Sequence, residues 1–197
     1  MALKRKIAYI NLSTGEVKTA PIPIEMRELY LGGRGLDMYL LYNHLQPGVD
    51  PLGPDNVLTV GIGLLVGTLA SASARTHIGA KSPLTGLIGS SNIGGFFGPE
   101  LRWAGFDHLV IKGKADRPVY LWIHDGEIEI RDGSELWGED IPTTQELIQE
   151  ELNDPEVKAL CIGVAGENLV RFANIMTGVK NAAGRTGMGA VMGSKNL

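Results

Sequence analysis

Cysteine is nearly absent: Cys161 is the single one in 197 residues. No disulfide framework and no cysteine-ligated metal cluster can be built from it. Its setting, Ala159-Leu160-Cys161-Ile162, reads as a small buried hydrophobe within a strand. Excess positive charge is lacking too. Lys and Arg number 18 against 22 Asp and Glu, a formal net charge of −4, which leaves no basic footprint for nucleic acid. No apolar run is long enough to cross a bilayer. Lys4, Arg5 and Lys6 lead into an alternating strand and not into an apolar signal segment, so the expected location is cytoplasmic and off the membrane. His44, His77, His108 and His124 are spread without metal-ligand spacing. Neither a P-loop nor a G-x-S-x-G elbow occurs. No Ser/Pro/Gly-rich or like-charged run marks a linker, which argues for a single domain over 1–197.

Glycine, by contrast, is abundant, with 27 residues, and it is concentrated in two loops: Ser90-Ser91-Asn92-Ile93-Gly94-Gly95-Phe96-Phe97-Gly98 and Asn181-Ala182-Ala183-Gly184-Arg185-Thr186-Gly187-Met188-Gly189. Without a Cβ, such loops bring backbone N–H and C=O groups close to an anionic ligand. Two of them point to two phosphate-bearing groups.

The loops belong to a longer repetition. Tyr9, Gly15 and Glu16 fall on Tyr120, Gly126 and Glu127 at a separation of 111 positions, and both stretches read as β-hairpins. A helical stretch follows each, Glu25 to Leu45 and Thr143 to Leu152. Then comes a buried-looking strand, Val57 to Gly63 against Val157 to Gly163, at a separation of 100. Asn92 aligns with Asn181 at 89. The steady fall in separation describes a duplicated unit, roughly 1–110 and 111–197, whose second copy has shorter loops. The expected fold is α+β: an internally duplicated, pseudo-twofold domain of mostly antiparallel sheets with a few helices. Gly32-Gly33-Arg34-Gly35 breaks the first helical stretch, and Leu36, Tyr39, Leu40 and Leu45 supply the apolar stripe after the break. It lacks the strand-to-helix setting of a dinucleotide fingerprint. Leu109 to Lys112 is a further strand whose counterpart in the second copy is missing before Leu197.

Among single residues, Arg75 lies in a run of small side chains and reads either as a phosphate clamp or as a surface arginine. Arg185, embedded in the second glycine loop, favours an anion. Asn92 and Asn181 serve either turn geometry or a ligand. Glu127 and Glu129 alternate along a strand as its solvated face.

Lys81-Ser82-Pro83-Leu84-Thr85-Gly86, Gly94-Gly95-Phe96-Phe97-Gly98-Pro99-Glu100-Leu101, Ala104-Gly105-Phe106-Asp107, Gly166-Glu167-Asn168-Leu169-Val170 and the run from Ala182 to Leu197 resemble the N-terminal domain of the tungsten-containing aldehyde ferredoxin oxidoreductase family. The resemblance implies a base on which two pyranopterin dithiolenes lie, jointly holding one tungsten, with a magnesium ion bridging their phosphates. One repeat would serve each pterin. Carried over by position, the pterin contacts fall on Arg75, Asn92, Gly94, Ala182, Gly184 and Arg185, with the backbone carbonyls of Asn92 and Ala182 on the magnesium. Asn181 joins the set in place of the arginine the family commonly has there. The resemblance also implies that a [4Fe–4S] cluster, further pterin contacts and the acid/base groups lie in later domains, so no catalytic residue is expected here and this chain alone is expected to be inactive. The fallback candidates for catalysis are His77, His108 and Glu100. The implied activity is oxidation of an aldehyde to a carboxylate with ferredoxin as electron acceptor, carried by a longer enzyme of which this is a fragment. The alternative is a non-catalytic pterin-binding or assembly module completed by another subunit. With its pterin face uncovered, the chain is expected to self-associate as a homo-oligomer.

Overall fold

The computed structural model describes residues 5–197; Lys4 of the basic lead lies outside the described residues. The architecture is α+β, as expected. A six-stranded sheet is built from β1 (Lys6–Asn11), β2 (Glu16–Pro21), β3 (Leu58–Ile62), β4 (Thr76–Lys81), β5 (Ile88–Ile93) and β6 (His108–Lys112), in the order β2-β1-β6-β3-β4-β5. All its pairings are antiparallel except β1 with β6. Between β2 and β3 run α1 (Ile24–Tyr30) and α2 (Arg34–His44), with α3 (Phe97–Trp103) before β6.

The second half follows with the hairpin β7 (Val119–His124) and β8 (Glu127–Asp132), then α4 (Ile141–Leu152) and α5 (Val164–Glu167), a short pair β9 (Ile175–Thr177) and β10 (Asn181–Ala183), and α6 (Met188–Ser194). Local chemistry explains several of these boundaries. Asp125, at φ 43°, and Gly126 turn the second hairpin. Asp140 caps α4, its Oδ1 accepting from the Thr143 N–H at 2.9 Å, and Pro142 fits the first turn where its missing N–H costs nothing. The capped helix therefore starts at Ile141, earlier than the sequence pattern suggests.

The helical stretch breaks within the glycine run, as expected: Leu31 to Gly33 separate α1 from α2, the Gly33 N–H being taken by the Ile62 carbonyl at 2.8 Å, and Arg34 and Gly35 open α2. Two expectations need correction. The buried face of α2 is Leu36, Asp37, Leu40 and Leu41, so a carboxylate stands within the apolar stripe. More consequentially, residues 157–163 form no strand. They make one isolated bridge, Cys161 with Met176, where their counterpart β3 is a fully buried strand hydrogen-bonded on both sides. A single bridge is not a ladder.

One apolar cluster joins the halves: Ala8, Val60, Ile78 and Leu109 from the sheet pack with Ile175, Met188 and Val191. A smaller one places Leu36, Leu40 and Leu41 of α2 on Ile7, Ile22 and Val110.

Candidate functional site

Both glycine-rich segments adopt one plan, a strand running into a tight turn and then a short helix: β5 into α3, and β10 into α6. The structure brings them side by side. β10 packs against β5, and a Cβ added to Gly95 would stand 3.1 Å from Asn181 Nδ2 and 3.0 Å from Thr177 Cγ2. With φ at 98° as well, that position accepts only glycine. Asn181 is thus half-buried against the first loop. Farther along, Gly89 faces Thr186 and Met188, and the Ser82 hydroxyl donates to the Thr186 carbonyl at 2.7 Å.

Of the residues singled out from the sequence, Asn92, Ala182, Gly184, Arg185 and Arg75 are exposed and Gly94 is half-buried. A Cβ at Gly184 would meet nothing within 4 Å, so its backbone is open to a ligand. Thr76 pairs with Ile93, which puts Arg75 at the Gly94 end of the β4–β5 pair. Among the described residues neither the Arg75 nor the Arg185 guanidinium forms an ion pair, as is also true of Arg27, Arg34 and Arg171, whereas Arg5, Arg102, Arg117 and Arg131 are paired. Exposed apolar side chains adjoin the loops in sequence: Phe96 directly after Gly95, and Val179 just ahead of Asn181.

Behind the loops stand buried polar groups that spacing did not reveal. His77 is the register partner of Asn92. Its Nδ1–H donates to Asp37 Oδ2 at 2.6 Å, and the His108 Nδ1–H donates to Asp37 Oδ1 at 2.7 Å, all three side chains being buried. Both carboxylate oxygens are satisfied, which makes a fully buried carboxyl tolerable. Gly61 makes the room, since a Cβ there would run into the Asp37 carboxylate and the His108 ring. Among the described residues no group of His, Cys, Asp or Glu is arranged to hold a metal ion.

On α3, Arg102 shares Asp107 with Arg5 and donates from Nη2 to the Gly63 and Leu64 carbonyls at 3.1 and 3.3 Å. Burial lowers its pKa; the Asp107 charge opposes that effect and Arg5 adds to it. At the end of α6, the buried Lys195 ammonium donates to the carbonyls of Asn56 at 2.5 Å, Gly113 at 3.1 Å and Pro54 at 3.4 Å. Burial pushes it down to about 8, with Asp55 pulling it back up. Burial also pushes the Cys161 thiol up to about 12, which keeps it protonated and inert at neutral pH. The one sequence signal for any of these is Asp37 itself, a carboxylate at an apolar-stripe position.

A profile of the aldehyde ferredoxin oxidoreductase N-terminal domain matches residues 7–197. The chain belongs to the aldehyde ferredoxin oxidoreductase family. It is 50% identical over 188 residues to the tungsten-containing aldehyde ferredoxin oxidoreductase of Pyrococcus furiosus, covering 95% of this chain and 31% of that protein. The enzyme of the same name from Thermococcus kodakarensis is 48% identical, again over 95% of this chain and 31% of its own length. A more distant relative is the aliphatic sulfonate oxidoreductase, WOR-like subunit, of Pyrococcus furiosus, at 38% identity over 100% of this chain and 34% of that protein. Among solved structures, the active-site complex BamBC of benzoyl coenzyme A reductase with 1,5-dienoyl-CoA superposes with a TM-score of 0.95 at 41% identity, over 98% of this chain and 29% of its own. The chain thus spans about a third of the length of the curated relatives it matches. Among the described residues no helix is long and apolar enough to cross a membrane.

Proposed function

We propose that the two glycine-rich loops form the base of a tungsten bis-pyranopterin site in an aldehyde-oxidising, ferredoxin-linked enzyme. The observation that carries this reading is the pairing of two exposed guanidinium groups without ion-pair partners, Arg75 and Arg185, with two abutting glycine turns, of which the Gly184 backbone is open to solvent. That donor set fits a doubly phosphorylated anionic ligand. Arg185 would hold one phosphate by charge-assisted hydrogen bonds, Arg75 would clamp the second pterin, and Gly94 and Gly184 would leave room beside their backbones for it. The carbonyl oxygens of Asn92 and Ala182 would suit a hard cation such as magnesium. When bound, the cofactor supplies the two-electron redox chemistry that converts an aldehyde and water to a carboxylate.

This chain's own contribution is binding and orientation. His77, held by Asp37, fixes the strand that carries Asn92, and Arg102 fixes α3 behind the first loop. An iron–sulfur cluster cannot be ligated by its single cysteine, so electron transfer to ferredoxin resides in other parts of the longer polypeptide. In the full-length protein, Arg185→Ala weakens cofactor binding by about 1.5–3 kcal/mol, the range for a hydrogen bond to a charged group. Tungsten and pterin phosphate, measured on the purified protein, fall together. Full occupancy of both would remove the phosphate-clamp role.

A further inference from the structure

The strand pairings set the two glycine loops in register with one another. Thr76, the first residue of β4, pairs with Ile93, and Ile175, the first residue of β9, pairs with Ala183. Gly94 therefore corresponds to Gly184 and Gly95 to Arg185, one position beyond the alignment of Asn92 with Asn181. The residue just ahead of β4 is Arg75, and the one just ahead of β9 is Asn174. Each half thus brings one arginine to the site, but from a different place. The first half has it before the strand and glycine in the loop; the second has asparagine before the strand and arginine in the loop.

Asn174 is bonded to the loop it faces. Its side-chain nitrogen donates to the Phe172 carbonyl at 3.2 Å and to the Gly184 carbonyl at 3.3 Å, the opposite assignment of the amide setting oxygen against oxygen. The next two carbonyls are taken as well, that of Arg185 by the Thr186 hydroxyl at 2.5 Å and that of Thr186 by the Ser82 hydroxyl at 2.7 Å. These bonds hold Thr186 at φ 70°, a conformation that β-branched residues rarely adopt. The Gly184–Arg185 peptide is trans, so its N–H lies opposite its C=O. With the Gly184 carbonyl drawn to Asn174, the Arg185 amide faces the other way. Among the described residues it donates to no protein carbonyl, and neither does its counterpart at Gly95.

We propose that Asn174 is a further residue of the ligand site: by holding the Gly184 carbonyl it turns the Arg185 amide outward, so that the backbone N–H and the guanidinium of one residue meet the same phosphate. This rests on the reading of the loops as a phosphate-binding base and adds the group that orients the second of them. A phosphate offers several acceptor oxygens, which satisfy a backbone donor and a forked cation together. Asn174 is a positioning residue and acts through the peptide it holds. In the first half the loop has no side chain at Gly95, and the charge comes instead from Arg75, at the place equivalent to Asn174.

Release of pterin from the full-length protein tests the assignment, the freed pterin being oxidised and measured by fluorescence and tungsten being counted in the retained fraction. Asn174→Ala is expected to speed release about 2- to 10-fold, as for the loss of one ordinary hydrogen bond. Asn174→Asp, similar in shape but without an N–H donor, is expected to exceed it, because its charge also repels the phosphate. Native release from both would overturn the proposal. A purely structural role is separated by moving the charge. Arg185→Gly alone is expected to speed release by about 10-fold or more, and Asn174→Arg/Arg185→Gly, which copies the arrangement of the first half, should return it to within about threefold of native. Release from the double variant as fast as from Arg185→Gly would refute the equivalence of Asn174 with Arg75, and with it the assignment. Native release from Arg185→Gly would count instead against the phosphate contact of the guanidinium, leaving the Asn174→Ala and Asn174→Asp rates to decide the positioning role.

Discussion

Residues 6–112 and residues 119–194 share much of one order of elements, hairpin, helix, second strand pair and short helix, yet only the first set builds a six-stranded sheet. Their inner segments make the contrast plainest. Leu58–Ile62 is buried at every residue between two neighbours, while 157–161, similar in apolar content, is half-exposed over most of its length and touches β9 at one bridge. Hydrophobic pattern qualifies a segment to be a strand, but backbone pairing along its length makes it one. The halves also anchor their helices differently. α2 buries a carboxylate that ties two strands together through imidazoles, whereas α4 buries Thr144 and Ile148 and relies on its Asp140 cap.

Substitutions can break that contrast. The largest effect is expected at Asp37: Asp37→Ala strands two buried imidazole donors and leaves a void, a loss of about 3–5 kcal/mol by chemical denaturation. Ile148→Ala in the second half is expected to cost about 2 kcal/mol, the low end for such truncations, because Ile148 already borders an apolar cavity. Equal losses would show that the two helices are held alike.

Lys195 joins the halves, and pH sharpens its role. Its folded pKa, about 8, lies below the ordinary 10.5, so the fold binds that proton more weakly than the unfolded chain does. Stability from this group therefore rises as pH climbs from about 8 to 10.5 and is flat below, by on the order of 3 kcal/mol. Denaturation midpoints of the native protein and Lys195→Met, compared across that window, should diverge in favour of the native protein. Parallel pH profiles would rule out a buried ammonium.

The smallest effect concerns α4 alone. The Thr143 amide holds the Asp140 carboxyl below its ordinary 3.8, so the cap is at full strength above pH 3.8 and is lost as pH falls through the depressed folded value. Asp140→Asn, which caps at any protonation state, should flatten that acid dependence. An unchanged acid limb would assign it to other carboxyls.

Much of this contrast was legible in the chain. Ser13-Thr14-Gly15 and Asp125-Gly126 mark their hairpins because turn chemistry is local, and Gly32-Gly33 marks the helix break for the same reason. The glycine loops stood out by composition, though their abutment through Asn181 depends on the packing of β10 against β5. The loose state of 157–161 was not readable, since whether a segment pairs along its length depends on neighbours distant in sequence. Nor were the buried polar anchors, whose members lie 40 and 71 positions apart in one case and 139 in another. Such contacts belong to tertiary structure and have no periodicity.

The reach of Lys195 also has a temporal side. All six strands of the first sheet have been synthesised by residue 112, but the ammonium that meets the Gly113 carbonyl comes 82 positions later. At ordinary elongation rates that interval is on the order of 4–16 s. During it the nascent sheet can pair and bury its apolar face while the Pro54, Asn56 and Gly113 carbonyls remain hydrated. Final dehydration of that corner therefore waits for α6, and the first half of the molecule reaches its finished state only when the second has been made.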